Sequence, residues 1–261
     1  MNATSSDRLI LFGRHCYGAG IAALGVQHFV IAGLVPVILP PNPAWMPLAA
    51  VWPYVVGLAL IAAGGAILLG QSVRLVSVIL GLALLASLIL RHVPAQLASG
   101  VIWPLAVWNN PLKLLTLAGG SFAAAASIPT AGPENANRKF TAFGSFALAV
   151  TCGLFGFEHF QYVEFVASLV PSWVPGHVFW TYFCGSALMA AGLGMLLRVQ
   201  ARLAALLLGS MIFVWFLVLH IPRAVADPYS GHGNEWSSVC EALAFSGIGF
   251  ILSQTLPREA R

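Results

Sequence analysis

The sequence predicts an all-α membrane protein: eight transmembrane helices arranged as two tandem, parallel four-helix bundles. Three observations predict it. First, 59% of the 261 residues are hydrophobic, only 8% are charged, and the mean hydropathy is +0.88. A soluble domain carries about 25% charged residues, so this chain cannot cover a water-facing surface. Second, the chain repeats itself at an almost constant offset. Third, its basic residues fall on one side of the apolar segments. Nucleic-acid binding is excluded as a function class, because the 12 Lys and Arg residues form no basic cluster despite the net charge of +4.

The repeat organises everything else. Residues 43–75 and 171–203 align without a gap at an offset of 128, pairing Pro43 with Pro171, Trp45 with Trp173, Pro47 with Pro175, Trp52 with Trp180, Tyr54 with Tyr182, Gly57 with Gly185, Gly64 with Gly192 and Arg74 with Arg202. The same offset pairs Gly81 with Gly209, His92 with His220, Pro94 with Pro222 and Trp108 with Trp236. Upstream, an offset of 131 pairs Gly25, His28 and Phe29 with Gly156, His159 and Phe160. Apolar sequence matches itself by accident at Leu and Ala, not at Trp, Pro and Arg together. The expected organisation is therefore a tail at 1–9, a first membrane unit at 10–127, a linker at 128–140, a second unit at 141–256 and a tail at 257–261.

Each unit contains four apolar segments. They run over 10–36, 48–70, 73–93 and 111–127 in the first unit, and over 141–169, 176–197, 200–222 and 237–256 in the second. At 1.5 Å per residue, each approaches the ~30 Å needed to cross hydrocarbon. Short turns around Gly70-Gln71-Ser72 and Val199-Gln200 join the second and third segments. Arg8, Arg14, Arg74, Arg138, Lys139, Arg198, Arg202, Arg258 and Arg261 then share one side, against Arg91, Lys113 and Arg223 on the other. The positive-inside rule puts the first side, with both termini, in the cytoplasm. No cleavable signal peptide is read at the start. The four cysteines form no C-x-x-C motif, so dithiol redox chemistry has no sequence support.

Depth follows by counting. His28 and His159 lie about 24 Å past the cytoplasmic end of the first helices, and His92 and His220 about 27 Å past Arg74 and Arg202. Lys113 and Glu241 sit five residues beyond Trp108 and Trp236, at the same level as Trp52, Tyr54, Trp180 and Tyr182. These residues are the candidate ligand-binding set, expected to surround an outward-facing pocket. An aromatic belt with snorkelling cations is the plain structural alternative. The second unit is richer in chemistry. Glu158, Glu164, Asp227, Glu235 and Glu241 and the histidines 159, 177, 220 and 232 lie in its outer half, whereas the first unit's outer half has no acid there. The second unit is therefore expected to hold the more active pocket.

Three chemistries suit such a pocket. His159, His220 and Glu241 make a ligand set that transition metals use, although their spacing matches no metal motif and no metal is expected. Glu158 or Glu241 as acid with His159 as base would make a catalytic pair acting on a lipid-like substrate. The His and Trp side chains could instead hold the head of a quinone or lipid without bond-making. A salt bridge between Lys113 and Glu241 across the two units is the structural alternative for that pair. A solute channel is disfavoured, since no segment has a continuous polar stripe.

His159-Phe160, Pro171-Ser172-Trp173-Val174-Pro175 and the small-residue helix Ala187–Gly192, with weaker copies in the first unit, resemble the DoxX-like membrane proteins. The resemblance covers most of both units, whereas ordinary members have a single four-helix unit. It implies a small protein of the bacterial inner membrane, associated in some members with redox systems such as thiosulfate:quinone oxidoreduction. It carries no agreed catalytic residues. The expected role is a redox-associated subunit that binds a quinone-like or lipid-like molecule and contacts the lipid bilayer and a membrane redox partner. A non-catalytic assembly factor for another membrane protein is the remaining class.

Overall fold

The computed structural model describes residues 4–42, 46–129 and 134–257, and of Glu134 and His232 the backbone only. The Pro43/Pro171 and Trp45/Trp173 pairs, the His232 side chain, and Arg258 and Arg261 thus fall wholly or partly outside the described residues. Among those described, helices account for nearly all regular structure and there are no strands.

Among the described residues nine helices follow one another: α1 Ser5–Val30, α2 Trp52–Leu68, α3 Val73–Ala98, α4 Asn109–Ala126, α5 Glu134–Gln161, α6 Val163–Leu169, α7 His177–Leu197, α8 Ala201–Ala226 and α9 Asn234–Thr255. Thr4 starts α1 with a capping box: its hydroxyl accepts the Asp7 N–H at 3.2 Å and the Asp7 carboxylate accepts the Thr4 N–H at 3.0 Å. Six of these described helices (α1, α3, α5, α7, α8 and α9) are long and apolar enough to cross a membrane, whereas α2, at 17 residues, is shorter. The chain is an integral membrane protein.

Both third helices run further than their hydrophobic runs suggest, straight through Pro94 and Pro222. A proline inside a helix removes a hydrogen bond and crowds the carbonyl four residues back. Here the preceding turn widens to relieve it. The Val93 N–H donates to the Leu88 carbonyl and the Ile221 N–H to the Phe216 carbonyl, both five residues back. These π-turns end on His92 and His220, the offset-128 pair. Left-handed residues also recur at that offset, Gly70 with Arg198 and Ser72 with Gln200, in the turns before α3 and α8.

The packing corrects the expectation of two bundles each closed on its own four helices. Within each half, α1 packs on α2, α5 on α7, α3 on α4 and α8 on α9. Across the halves, α1 packs on α9 and α5 on α4. The first helix of each half therefore lies against the fourth helix of the other. Glycines permit both approaches: a methyl group at Gly13 would fall 2.7 Å from the Gly247 carbonyl oxygen, and one at Gly144 would fall 2.7 Å from that of Gly119. The α9 span is 83% buried, against 22–50% for the other five, which makes it the central helix.

One end of the molecule gathers the basic residues. There Ser6 Oγ donates to Gln254 Oε1 at 2.7 Å, Arg202 donates to the Gln254 carbonyl, and Arg74 donates to Asn137 Oδ1 at 2.5 Å. We call this the basal end. The predicted site residues lie toward the opposite, far end.

Candidate functional site

A cavity of about 280 Å³ opens in the second half of the chain, toward the far end. His159 of α5, Trp180 of α7, His220 of α8 and Glu241 of α9 line it, together with Lys113 of α4. Five of the predicted site residues are thus brought together, four of them from the second unit. The basal side of the cavity is apolar, walled by Leu188, Met211, Phe245 and Cys152. Its polar groups cluster at the far end.

Lys113 and Glu241 form an ion pair at 2.8 Å, with side chains 20% and 6% exposed. The structural alternative for this pair is therefore realised, and the pair also lines the cavity. Residues 113 and 241 lie at the offset of 128 and meet here with opposite charge. A buried unpaired charge in a membrane is expensive. Mutual neutralisation lets both groups sit beside an apolar cavity, and it leaves that cavity with no net charge for a ligand to match.

His159 hydrogen-bonds through Nδ1 to the Phe155 carbonyl at 2.7 Å, which turns the rest of the ring outward from α5. His220 presents a buried Nδ1 with no partner among the described residues. Trp180 and Trp215 meet edge to face with centroids 6.0 Å apart, and the Trp215 indole N–H points at Cys184 Sγ, 3.0 Å away. Trp215 and Cys184 line the cavity without having been among the candidate residues. The residues at offset 128 from them are Ser87 and Val56, so no match at that offset points to these two.

The equivalent space in the first half is filled. His28 lies fully buried, with Nδ1 2.8 Å from the Leu24 carbonyl and Nε2 accepting the Val35 N–H at 3.3 Å. Ser87 Oγ donates to the Ile38 carbonyl at 2.6 Å. Val35, Val37 and Ile38 are all buried in one apolar core with Ile21, Leu24, Leu60 and Leu84. Residues 35–38 thus plug the site that stays open in the second half. Pro36 is the local cause. It supplies no N–H and pushes Val35 away from helical geometry. At the equivalent position Ala167 sits inside α6, which keeps that segment at the cavity wall. His28 and His92, both in the candidate ligand-binding set, are buried, and neither lines the cavity.

Other predicted residues also lie elsewhere. Glu158 does not line the cavity and instead accepts the Asn109 amide N–H at 3.1 Å. Consecutive residues on a helix point about 100° apart, so Glu158 cannot face inward alongside His159. Its repeat partner Gln27 makes the matching contact, donating to Ser237 Oγ at 2.9 Å, and Ser237 is the offset-128 partner of Asn109. Tyr54 and Tyr182 are 42% and 43% exposed, with their rings on Phe29 and Phe160. The Trp52 indole donates to the Pro47 carbonyl and that of Trp108 to the Ile102 carbonyl, both at 3.2 Å. Trp236 is exposed. These five aromatics lie outside the cavity, so of the aromatic set only Trp180 belongs to it.

Glu235 takes a bidentate ion pair from Arg223, at 2.7 and 3.0 Å, which ties together the ends of the polar loop 223–236. Among the described residues no three His, Cys, Asp or Glu side chains are placed to hold a metal ion. A larger cleft of about 890 Å³ lies at the basal end beside Arg138, Lys139 and Arg198, and contains none of the predicted site residues.

Compared with protein-family models, with curated proteins and with solved structures, the chain matches none.

Proposed function

We propose that this chain binds a small lipophilic molecule, quinone-like or lipid-like, in the cavity of its second half, as a redox-associated membrane subunit. One observation carries the reading: the cavity is apolar on its basal side and has two imidazoles, two indoles and an internally neutralised ion pair toward its far end. Such a site suits an uncharged amphiphile whose polar head lies near the membrane surface. The reading extends to a duplicated DoxX-like unit of eight crossings in a bacterial inner membrane, with both termini cytoplasmic. Its support is the recurrence of π-turns, left-handed turn residues and glycine contacts at offsets of 128 and 131, with the basic residues Arg74, Arg138, Lys139, Arg198 and Arg202 at the basal end.

Binding is favoured over acid–base catalysis by the placement of the carboxylates. Glu158 lies outside the cavity and Glu241 is held by Lys113.

The test is to fill the cavity. Ala242 lines it, and Ala242→Phe places a ring in that space. Wild-type protein purified in lipid nanodiscs is expected to carry a lipophile that solvent extraction and mass spectrometry detect. Ala242→Phe, still helical and monodisperse, is expected to lose it. Equal content in both proteins would refute the reading.

A further inference from the structure

We propose that the molecule bound in this cavity carries a hydroxyl group and donates it to His159 Nε2; an alcohol, phenol or quinol qualifies, and an ether does not. The inference rests on the cavity being a ligand site, and it narrows the ligand class.

The argument starts from the plugged twin site. A carbonyl oxygen only accepts, so His28 Nδ1, 2.8 Å from the Leu24 carbonyl, is the ring's donor. Its Nε2 takes the Val35 N–H at 3.3 Å and is therefore the acceptor. Both ring nitrogens are satisfied, as burial requires. In effect, the first half displays its own occupant: branched aliphatic side chains, with one N–H delivered to the histidine.

His159 repeats half of this arrangement. Its Nδ1 stands 2.7 Å from the Phe155 carbonyl, which again makes Nδ1 the donor and leaves Nε2 with a lone pair. No described group donates to that lone pair. Val166, the equivalent of Val35, lines the cavity but gives its N–H to the Tyr162 carbonyl at 2.9 Å within α6. Three of the other hydroxyl and indole donors around the cavity are engaged elsewhere, and the Trp180 indole makes no hydrogen bond to His159. Thr181 Oγ1 donates to the His177 carbonyl at 3.0 Å, Ser238 Oγ to the Asn234 carbonyl at 3.1 Å, and the Trp215 N–H points at Cys184. The twin site's polar requirement is thus left for a ligand to meet. A hydroxyl meets it and can also accept a hydrogen bond at its own oxygen, for which the Lys113 ammonium stands at the same end.

A matched pair of probes tests this: 3,7-dimethyloctan-1-ol and its methyl ether, titrated calorimetrically into the full chain in nanodiscs with empty discs subtracted. One neutral hydrogen bond to an otherwise unpaired acceptor gives roughly tenfold in affinity. The wild type is expected to bind the alcohol about tenfold more tightly than the ether. His159→Phe is expected to bind both equally, while His159→Gln, which offers an amide oxygen, keeps part of the preference. Equal binding of both probes by the wild type, or an undiminished preference in His159→Phe, would overturn the hydroxyl assignment and leave the cavity as a ligand site. Binding of neither probe would overturn the ligand-site reading itself, and this inference with it.

Discussion

Removing one partner of the Lys113–Glu241 pair should destabilise the protein far more than exchanging the two. The charges are 2.8 Å apart. At an effective dielectric of about 20 their attraction is roughly 6 kcal/mol, and desolvation of each ion offsets several of these. The pair as such therefore contributes little. A single substitution is different, because it leaves the other charge buried and alone, at a cost of about 3–5 kcal/mol. Lys113 keeps a fifth of its side chain exposed and Glu241 almost none. Lys113→Met, which strands Glu241, is thus expected near the upper end of that range, and Glu241→Gln, which strands a lysine that can reach water, near the lower. The exchange Lys113→Glu with Glu241→Lys should return stability to within about 1–2 kcal/mol of the wild type, since residues 113 and 241 are equivalent positions facing each other. The assay is unfolding in mixed micelles by SDS titration, followed by far-UV circular dichroism, with the double variant completing the thermodynamic cycle. Additive losses in the double variant would refute the reasoning, because they would mean that the two groups do not compensate each other.

Three further outcomes are expected. Gly247→Ala places a methyl 2.5 Å from the Gly13 carbonyl oxygen and should prevent α1 from seating on α9, whereas Gly65→Ala meets nothing within 4 Å and should match or exceed wild-type stability by up to about 1 kcal/mol; folded yield on size exclusion and SDS unfolding separate the two. Glu158→Gln should keep the Asn109 contact, as Gln27 keeps its contact with Ser237, and should leave ligand content unchanged; a loss of ligand would restore Glu158 to the site. Truncating the plug with Val37→Ala and Ile38→Ala should cost about 2–5 kcal/mol for the isoleucine alone and open a second cavity; native mass spectrometry should then find two bound lipophiles where the wild type holds one.

Much of this was legible before any coordinates. Composition announces a membrane protein, and the repeat aligns His28 with His159 and Lys113 with Glu241, whose geometry then proved so informative. The limits have physical causes. Counting along a segment gives depth but not rotation, so it does not say which of Glu158 and His159 faces the cavity. The exchange of partners between halves depends on glycine contacts such as Gly13 with Gly247, and single-chain periodicity does not say which helix a glycine meets. The plug turns on Pro36 standing where the second half has Ala167, a one-residue difference inside two apolar segments that otherwise read alike. Trp215 and Cys184 were missed because attention to repeated positions overlooks a site built partly from positions that are not repeated.

The central claim is that the second half holds a small molecule where the first half holds its own chain. A density map of the protein in nanodiscs tests it most directly. The account predicts non-protein density between His159, Trp180, His220 and Glu241, and none beside His28, where residues 35–38 fill the space. Side chains closing over the cavity in the second half, with His159 turned toward lipid headgroups, would contradict it.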